Sequence, residues 1–445
     1  MKVLVIGCTH AGTAFTTTAK KLYGDDVDIT VYEKNDTISF LSCGIALHIG
    51  GVVEDPMKLF YSSPQKLSEI GAMPRMRHEV MEVNEKEKYV VVKNLETGET
   101  FKDTYDKLVV TLGSWPIVPK IPGVDLDGIK LSKNFYHAKD IVNSSKNAKK
   151  ISVIGAGYIG IELAESFKRI GKEVTLFDIE ERVLSKYLDK ELTDILEKEI
   201  KDNGIRLVLG EKVTKFDGKG GKVEKVITDK GEYDTDLVIL AVGFRPNTDL
   251  LKGKVDMLPN GALLVDQYLH TSNRDIYASG DSSAVWFTPS QSYEYIPLAT
   301  NAVRMGTIAA CNLFEDRITY KGTQGTSGVK VFSYSVATTG MTEKWAREKG
   351  IPVKTVFTIE NNRPEFMPDF EPVYVRLVYR SDNGQIIGGQ VMSKADITES
   401  ANTLSIAIHK KLTIEDLAFS DFFFQPYFNK PWNFLNTAAL KALIG

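Results

Sequence analysis

Cysteine is scarce in this chain of 445 residues: Cys8, Cys43 and Cys311 stand far apart. An odd, scattered set builds no disulfide framework and has no zinc-type spacing, so no metal is expected and a reducing compartment is. Charge of one sign is lacking as well. Lys and Arg number 55 against 58 Asp and Glu, a net charge of −3 with both signs interspersed, which gives no footprint for nucleic acid. No apolar run approaches the ~20 residues of a membrane span. The chain opens on Met1-Lys2-Val3-Leu4-Val5-Ile6-Gly7, which reads as a strand feeding a glycine turn and not as a secretory leader. A soluble cytoplasmic protein of two to four domains is expected. Low-complexity segments are missing too.

What is present is one pattern, twice. The first copy runs from Lys2-Val3-Leu4-Val5-Ile6-Gly7 to Leu108-Val109-Val110-Thr111-Leu112-Gly113, the second from Ile151-Ser152-Val153-Ile154-Gly155 to Leu237-Val238-Ile239-Leu240-Ala241-Val242-Gly243. Each begins with a β-branched run, a glycine turn and a helical stretch, and each closes on a buried strand ending in glycine. Continuous apolar runs of this kind read as parallel strands covered on both faces. Two doubly wound, Rossmann-like α/β units are expected. Between them, the proline-rich Ser114 to Gly123 reads as a linker. A helix is expected from about Leu298 to Asn312. From about Thr323 the character changes to alternating strands such as Val373–Tyr379, then to the aromatic run Phe422 to Phe428. The expected division is 1–113 and 244–322 as two parts of one nucleotide-binding domain, 114–243 as a second, and 323–445 as a C-terminal α+β domain.

The second fingerprint is complete: Gly155-Ala156-Gly157-Tyr158-Ile159-Gly160 sits between strand and helix. Its glycines allow a tight turn and close backbone approach to a pyrophosphate resting on the helix N-terminus. Asp178 ends the next strand at the distance of an acid that grips a ribose 2′-hydroxyl, and an acid there repels a 2′-phosphate, so NADH is favoured over NADPH. The first fingerprint, Gly7-Cys8-Thr9-His10-Ala11-Gly12, keeps its outer glycines but carries Thr9 in the middle. Thr9 leaves less room for backbone approach, though its hydroxyl could donate to phosphate. Glu33 is the matching ribose acid. Gly280-Asp281, after a strand, can aim a carboxylate at a second polyol or pyrophosphate. Two such sites fit a bound FAD in the first and a visiting NADH in the second.

Cys43, in Ser39-Phe40-Leu41-Ser42-Cys43-Gly44, has no second cysteine four or five residues on, so a dithiol cycle is excluded and a sulfenic acid or mixed disulfide is the simplest alternative. Most free cysteines are merely small buried hydrophobes. Cys8 and Cys311 are read that way. Gly44 to Ile49 can form a helical turn, which would place the Cys43 sulfur at a helix N-terminus and favour its thiolate.

Together, Thr9-His10, Ser39 to Gly44, Gly155 to Glu162, Gly280-Asp281, Leu298-Ala299-Thr300-Asn301-Ala302 and the Phe-rich end resemble the two-dinucleotide-binding pyridine nucleotide-disulfide oxidoreductases. The similarity is greatest to the single-cysteine branch of NADH oxidases, NADH peroxidases and coenzyme A-disulfide reductases, and it spans essentially the whole chain. It implies that Cys43 lies against the flavin and that His10 is a base or hydrogen-bond partner during peroxide cleavage. Asp281 would hold the ribityl or pyrophosphate part, and Leu298, Ala299 and Thr300 would open a helix toward the flavin pyrimidine edge. Lys34, Val80, Thr111, Gly113, Ser114 and Lys133 are further expected cofactor contacts, as are Ile159, Gly243 and Gly328. Tyr158 would cover the flavin until nicotinamide displaces it, and Tyr187 would lie near the NADH adenosine; ordinary helix packing is the alternative for both. The C-terminal domain resembles the family's dimer interface, with Phe423 and Phe424 approaching the partner's flavin in a homodimer.

The resemblance implies a water-forming NADH oxidase: electrons from two NADH pass through FAD to dioxygen, and Cys43 takes an oxygen atom from the resulting peroxide. Segments Gly243 to Thr248, Tyr295 to Arg304 and Asn362 to Pro368 look more like oxidases than peroxidases. An NADH peroxidase is the second reading. A coenzyme A-disulfide reductase is disfavoured because Ser42 replaces the asparagine usual there. A flavin-bearing redox sensor without turnover is the non-enzymatic alternative.

Overall fold

A computed structural model describes residues 1–445. The duplicated pattern becomes two five-stranded parallel sheets with matching order. In the first, Lys2–Ile6 lies between Asp28–Glu33 and Lys107–Val110, with Met73–Met76 and Ile276–Ala278 at the edges. In the second, Lys150–Ile154 lies between Glu173–Asp178 and Leu237–Leu240, with Arg206–Leu209 and Ile129–Leu131 outside. After their first residue the central strands are almost wholly apolar and buried, as strands covered on both faces must be. Ile276–Ala278 comes from far along the chain to complete the first sheet. Asp281 is delivered beside the first glycine turn by that strand.

Each sheet also carries a three-stranded antiparallel meander, His78–Asn84 with Tyr89–Asn94 and Thr100–Thr104, and Val213–Lys219 with Lys222–Thr228 and Glu232–Asp234. The proline-rich segment after Gly113 is not simply a linker. Ser114–Pro116 pairs antiparallel with Phe244–Pro246, so the two crossings between sheets run side by side. Pro116 is tolerated because this ribbon has only two strands and both are edges.

From Ser327 the chain builds a five-stranded antiparallel sheet in the order Ser327–Val331, Tyr334–Gly340, Ile386–Ser393, Pro372–Arg380, Val353–Asn361. Helices Ser400–His409, Ile414–Ala418 and Phe434–Ile444 cover one face through Leu404, Leu417 and Leu435. No helix is long and apolar enough to cross a membrane.

Candidate active site

The first glycine turn leads from Lys2–Ile6 into the helix His10–Tyr23. A Cβ at Gly12 would strike the Gly7 carbonyl oxygen, so the helix can approach the strand this closely only with glycine there. Thr9 caps the helix without any side-chain hydrogen bond and is exposed, and no acid occupies the first helical turn. Its hydroxyl and the helix N-terminus are both free for an anion. Glu33 is buried and braces the turn: its carboxylate accepts from Cys8 N at 2.9 Å and from Asn35 N at 3.0 Å. Burial is the main influence on the Glu33 carboxyl and pushes it upward.

A cleft of about 340 Å³ opens from this turn. Gly7, Thr9, His10, Ala11, Glu33, Lys34, Val80, Thr111, Gly113, Ser114, Lys133, Gly280 and Asp281 all line it. Beside the turn, Asp281 accepts from Ser114 Oγ at 2.7 Å and pairs with Lys133 Nζ at 3.2 Å. Lys34 lies over the Trp115 ring at 5.3 Å. Helix Ala299–Cys311, capped by Leu298, packs on the helix His10–Tyr23 and likewise has no acid in its first turn. A cleft with an anion-binding turn, a buried acid braced under it and a carboxylate–lysine pair beside it fits FAD.

The second turn repeats the device. A Cβ at Gly160 would overlap the Gly155 carbonyl oxygen, whereas one at Gly157 would meet only open space. The first glycine serves helix–strand packing and the second lies bare for a pyrophosphate. Asp178 takes the role of Glu33, accepting from Ala156 N at 2.6 Å and Glu180 N at 2.9 Å. Tyr158 stacks on Tyr187 with centroids 4.1 Å apart, and its hydroxyl lies 2.9 Å from Ser327 Oγ. The two tyrosines expected to meet different parts of the ligands thus pack on each other here.

Cys43 is solvent-accessible, in the short turn Ser42–Gly44 ahead of helix Ile45–Ile49. The expected thiolate stabilisation is not seen. Burial pushes the Cys43 thiol up, Glu162 and Asp281 push the same way, and Lys133 opposes them. One turn of helix carries too little dipole to overcome the loss of water around the sulfur. Glu162 is itself pushed up to about 7, by burial first and Glu165 second, so near neutral pH it carries only part of a charge. Cys8 is buried against Thr13 Oγ1 at 3.5 Å and pushed up to about 12 by burial, an unreactive thiol. His10 lines the cleft, and burial holds its pKa below the ordinary imidazole range.

Residues 1–306 match the family model for pyridine nucleotide-disulphide oxidoreductases, and residues 326–433 match that family's dimerisation domain. The chain belongs to this family. Within the family it is similar to the NADH oxidase of Enterococcus faecalis, 54% identical over 446 residues covering 100% of this chain and 99% of the relative. The solved structure of the water-forming NADH oxidase from Lactobacillus brevis bound to NADH superposes with a TM-score of 0.98 at 50% identity, covering 100% of this chain and 98% of that one. A CoA-dependent NAD(P)H sulfur oxidoreductase of Pyrococcus furiosus is 32% identical over 436 residues, 97% of each chain.

In this member of the family three features escaped the sequence reading. Tyr61 Oη lies 2.9 Å from His10 Nδ1. Glu162 faces the cysteine, although it closes a motif whose glycines drew the attention. Arg376, on the C-terminal sheet and almost fully buried, meets Asp189 at 3.1 Å, Glu191 at 2.6 Å and also Glu343. Asp189 and Glu191 follow Tyr187 in the chain, and Thr338 Oγ1 donates to the Tyr187 carbonyl at 3.2 Å. The segment bearing Tyr187 is thereby clamped to the C-terminal sheet. Phe424, expected to approach a partner's flavin, is exposed on the single chain, as are Phe423 and Phe428.

Proposed function

We infer that the chain is an FAD-dependent NADH oxidase that reduces dioxygen to water. The observation that carries this reading is a lone accessible thiol, Cys43, in a chain whose near relatives over full length are NADH oxidases. Bound FAD would supply the two-electron acceptor for NADH hydride and the electron donor to dioxygen.

The chain's own residues do the rest. The turn Gly7 to Gly12 and the start of helix Ala299–Cys311 would hold the FAD, with Glu33 at the ribose and Asp281, oriented by Ser114 and Lys133, at the ribityl or pyrophosphate part. The turn Gly155 to Gly160 takes the NADH pyrophosphate and Asp178 its adenosine ribose. Tyr158 and Tyr187 must part to admit nicotinamide and adenosine. Cys43, as thiolate, attacks a peroxide: an S–O bond forms, the O–O bond breaks, and hydroxide leaves to become the first water. The sulfur has lost two electrons and is a sulfenic acid. Two electrons from a second NADH and two protons restore the thiol and release the second water. His10, held neutral by burial, lines the FAD cleft, as does Ser42 next to Cys43, and serves as a partner for the peroxide oxygens. Two copies of the chain join through the C-terminal domain, Phe423 and Phe424 reaching toward the partner's cofactor.

The test is an anaerobic titration of the yellow protein with NADH, followed by oxygen, with peroxide scored. Bleaching of the flavin by NADH, followed by reoxidation with no free peroxide when oxygen is admitted, is expected. Stoichiometric release of peroxide on reoxidation contradicts the cysteine cycle.

A further inference from the structure

The structure assigns Tyr61 a task that rests on the reading of His10 above. We propose that Tyr61 is a positioning residue that fixes the His10 imidazole in its Nε2–H tautomer, so that His10 meets a peroxide as a hydrogen-bond donor and not as a base.

Three observations carry this. Tyr61 Oη lies 2.9 Å from His10 Nδ1, and the two rings are parallel within 1° at 5.3 Å. The segment that bears Tyr61 is strapped to the one that leads into Cys43: Leu41 N donates to the Leu59 carbonyl at 2.8 Å, and Phe40 bridges Phe60. Behind both stands Ser39, fully buried and held in a left-handed conformation at φ 60. Its N–H donates to the Cys8 carbonyl at 3.0 Å, and its hydroxyl lies 2.8 Å from Thr13 Oγ1, one turn along the helix from His10. A non-glycine residue at positive φ is costly and marks a place the surroundings over-determine. The histidine, the tyrosine and the cysteine segment form one braced unit.

The direction of the Tyr61–His10 bond follows from protonation. Burial pushes the Tyr61 hydroxyl up to about 12, with Cys8 adding to the rise, so it keeps its proton at any working pH. A phenol O–H donates far more readily than its oxygen accepts, and an unprotonated imidazole nitrogen is a strong acceptor, so Tyr61 turns its O–H toward His10 Nδ1. Asp281 and Lys133, the charged groups that face His10, push it in opposite directions, and burial leaves the ring neutral. A neutral imidazole that accepts at Nδ1 carries its hydrogen on Nε2. It then has no free lone pair with which to take a proton. When Cys43 sulfur bonds to one peroxide oxygen, the other leaves as hydroxide; the Nε2–H stabilises that hydroxide, and solvent protonates it.

A tyrosine that only packed would be replaced without loss by phenylalanine, which keeps the ring. The experiment uses the FAD-loaded enzyme labelled with ¹⁵N-histidine, the His10 signals being identified by their absence from His10→Gln. In the unsubstituted protein Nδ1 is expected at the shift of an unprotonated nitrogen and Nε2 at that of a protonated one. In Tyr61→Phe the two should move toward the average of mixed tautomers. A protonated Nδ1 in the unsubstituted protein, or unchanged shifts in Tyr61→Phe, overturns the assignment. Turnover supplies the second arm: Tyr61→Phe is expected to release measurable peroxide where the unsubstituted enzyme releases none, and adding it to His10→Gln should raise that variant's released fraction no further. Additive effects overturn the positioning role. Retained water formation in His10→Gln refutes instead the part given to His10, a failure the nitrogen shifts distinguish from failure of the tautomer.

Discussion

Burial drives the pKa values of His10 and Cys43 in opposite directions, because loss of water penalises a charge of either sign. For His10 this links folding to pH. A base whose folded pKa lies below its ordinary value contributes stability that is whole above the ordinary value and declines as pH falls through the folded one. Thermal midpoints measured from pH 7 to 5 are expected to fall less steeply for His10→Gln than for the unsubstituted protein; parallel curves contradict the buried, neutral imidazole. His137, lowered by the same cause, adds to the slope in both proteins. At this scale the sequence was informative wherever a residue sits at a fixed offset from a turn, as Glu33, Asp178 and Asp281 do. It was silent on Tyr61, which reaches His10 across 51 positions with no motif between them. It misjudged the Cys43 environment, since a helix start is visible in a sequence and the desolvation around a sulfur is not.

Among the elements, the two strand–turn–helix units should fail separately. Gly12→Ala and Gly160→Ala each force a methyl into a carbonyl oxygen, prying one helix from one strand. Gly160→Ala is expected to retain the yellow colour and bind NADH at least tenfold more weakly. Gly12→Ala is expected to lose flavin. Loss of flavin from Gly160→Ala, checked by absorbance after gel filtration, contradicts the assignment of the two turns. Arg376 ties the segment after Tyr187 to the C-terminal sheet, and Arg376→Met strips Asp189 and Glu191 of their cation, Glu343 keeping Arg347. A loss of about 3 kcal/mol is expected in urea unfolding, with a raised KM for NADH; unchanged stability contradicts the clamp. The parallel strands were legible because both of their faces are buried and their apolar runs are unbroken. Neither meander was, since half-exposed strands such as Thr100–Thr104 show only weak alternation. Ser114–Pro116 passed for a linker because its partner strand lies some 130 positions along the chain.

In the whole molecule, exposed Phe366, Phe423, Phe424, Tyr427, Phe428 and Trp432 crowd two irregular segments of the C-terminal domain. A monomer has little reason to leave that much aromatic surface in water. Sedimentation is expected to give a dimer, and Phe423→Asp with Phe428→Asp a monomer; a monomeric unsubstituted protein contradicts the interface. The aromatic run was plain in the sequence, but its exposure was not, because an apolar stretch reads alike whether it fills a core or awaits a partner. Electron balance also belongs to this scale, since two nucleotide sites and one sulfur must together carry four electrons. The most direct measurement is the ratio of NADH to dioxygen consumed, with peroxide assayed, for the unsubstituted enzyme and Cys43→Ser. Two NADH per dioxygen without peroxide, changing to one NADH per dioxygen with stoichiometric peroxide in Cys43→Ser, is the expected result. Water as the sole product of Cys43→Ser would contradict the account.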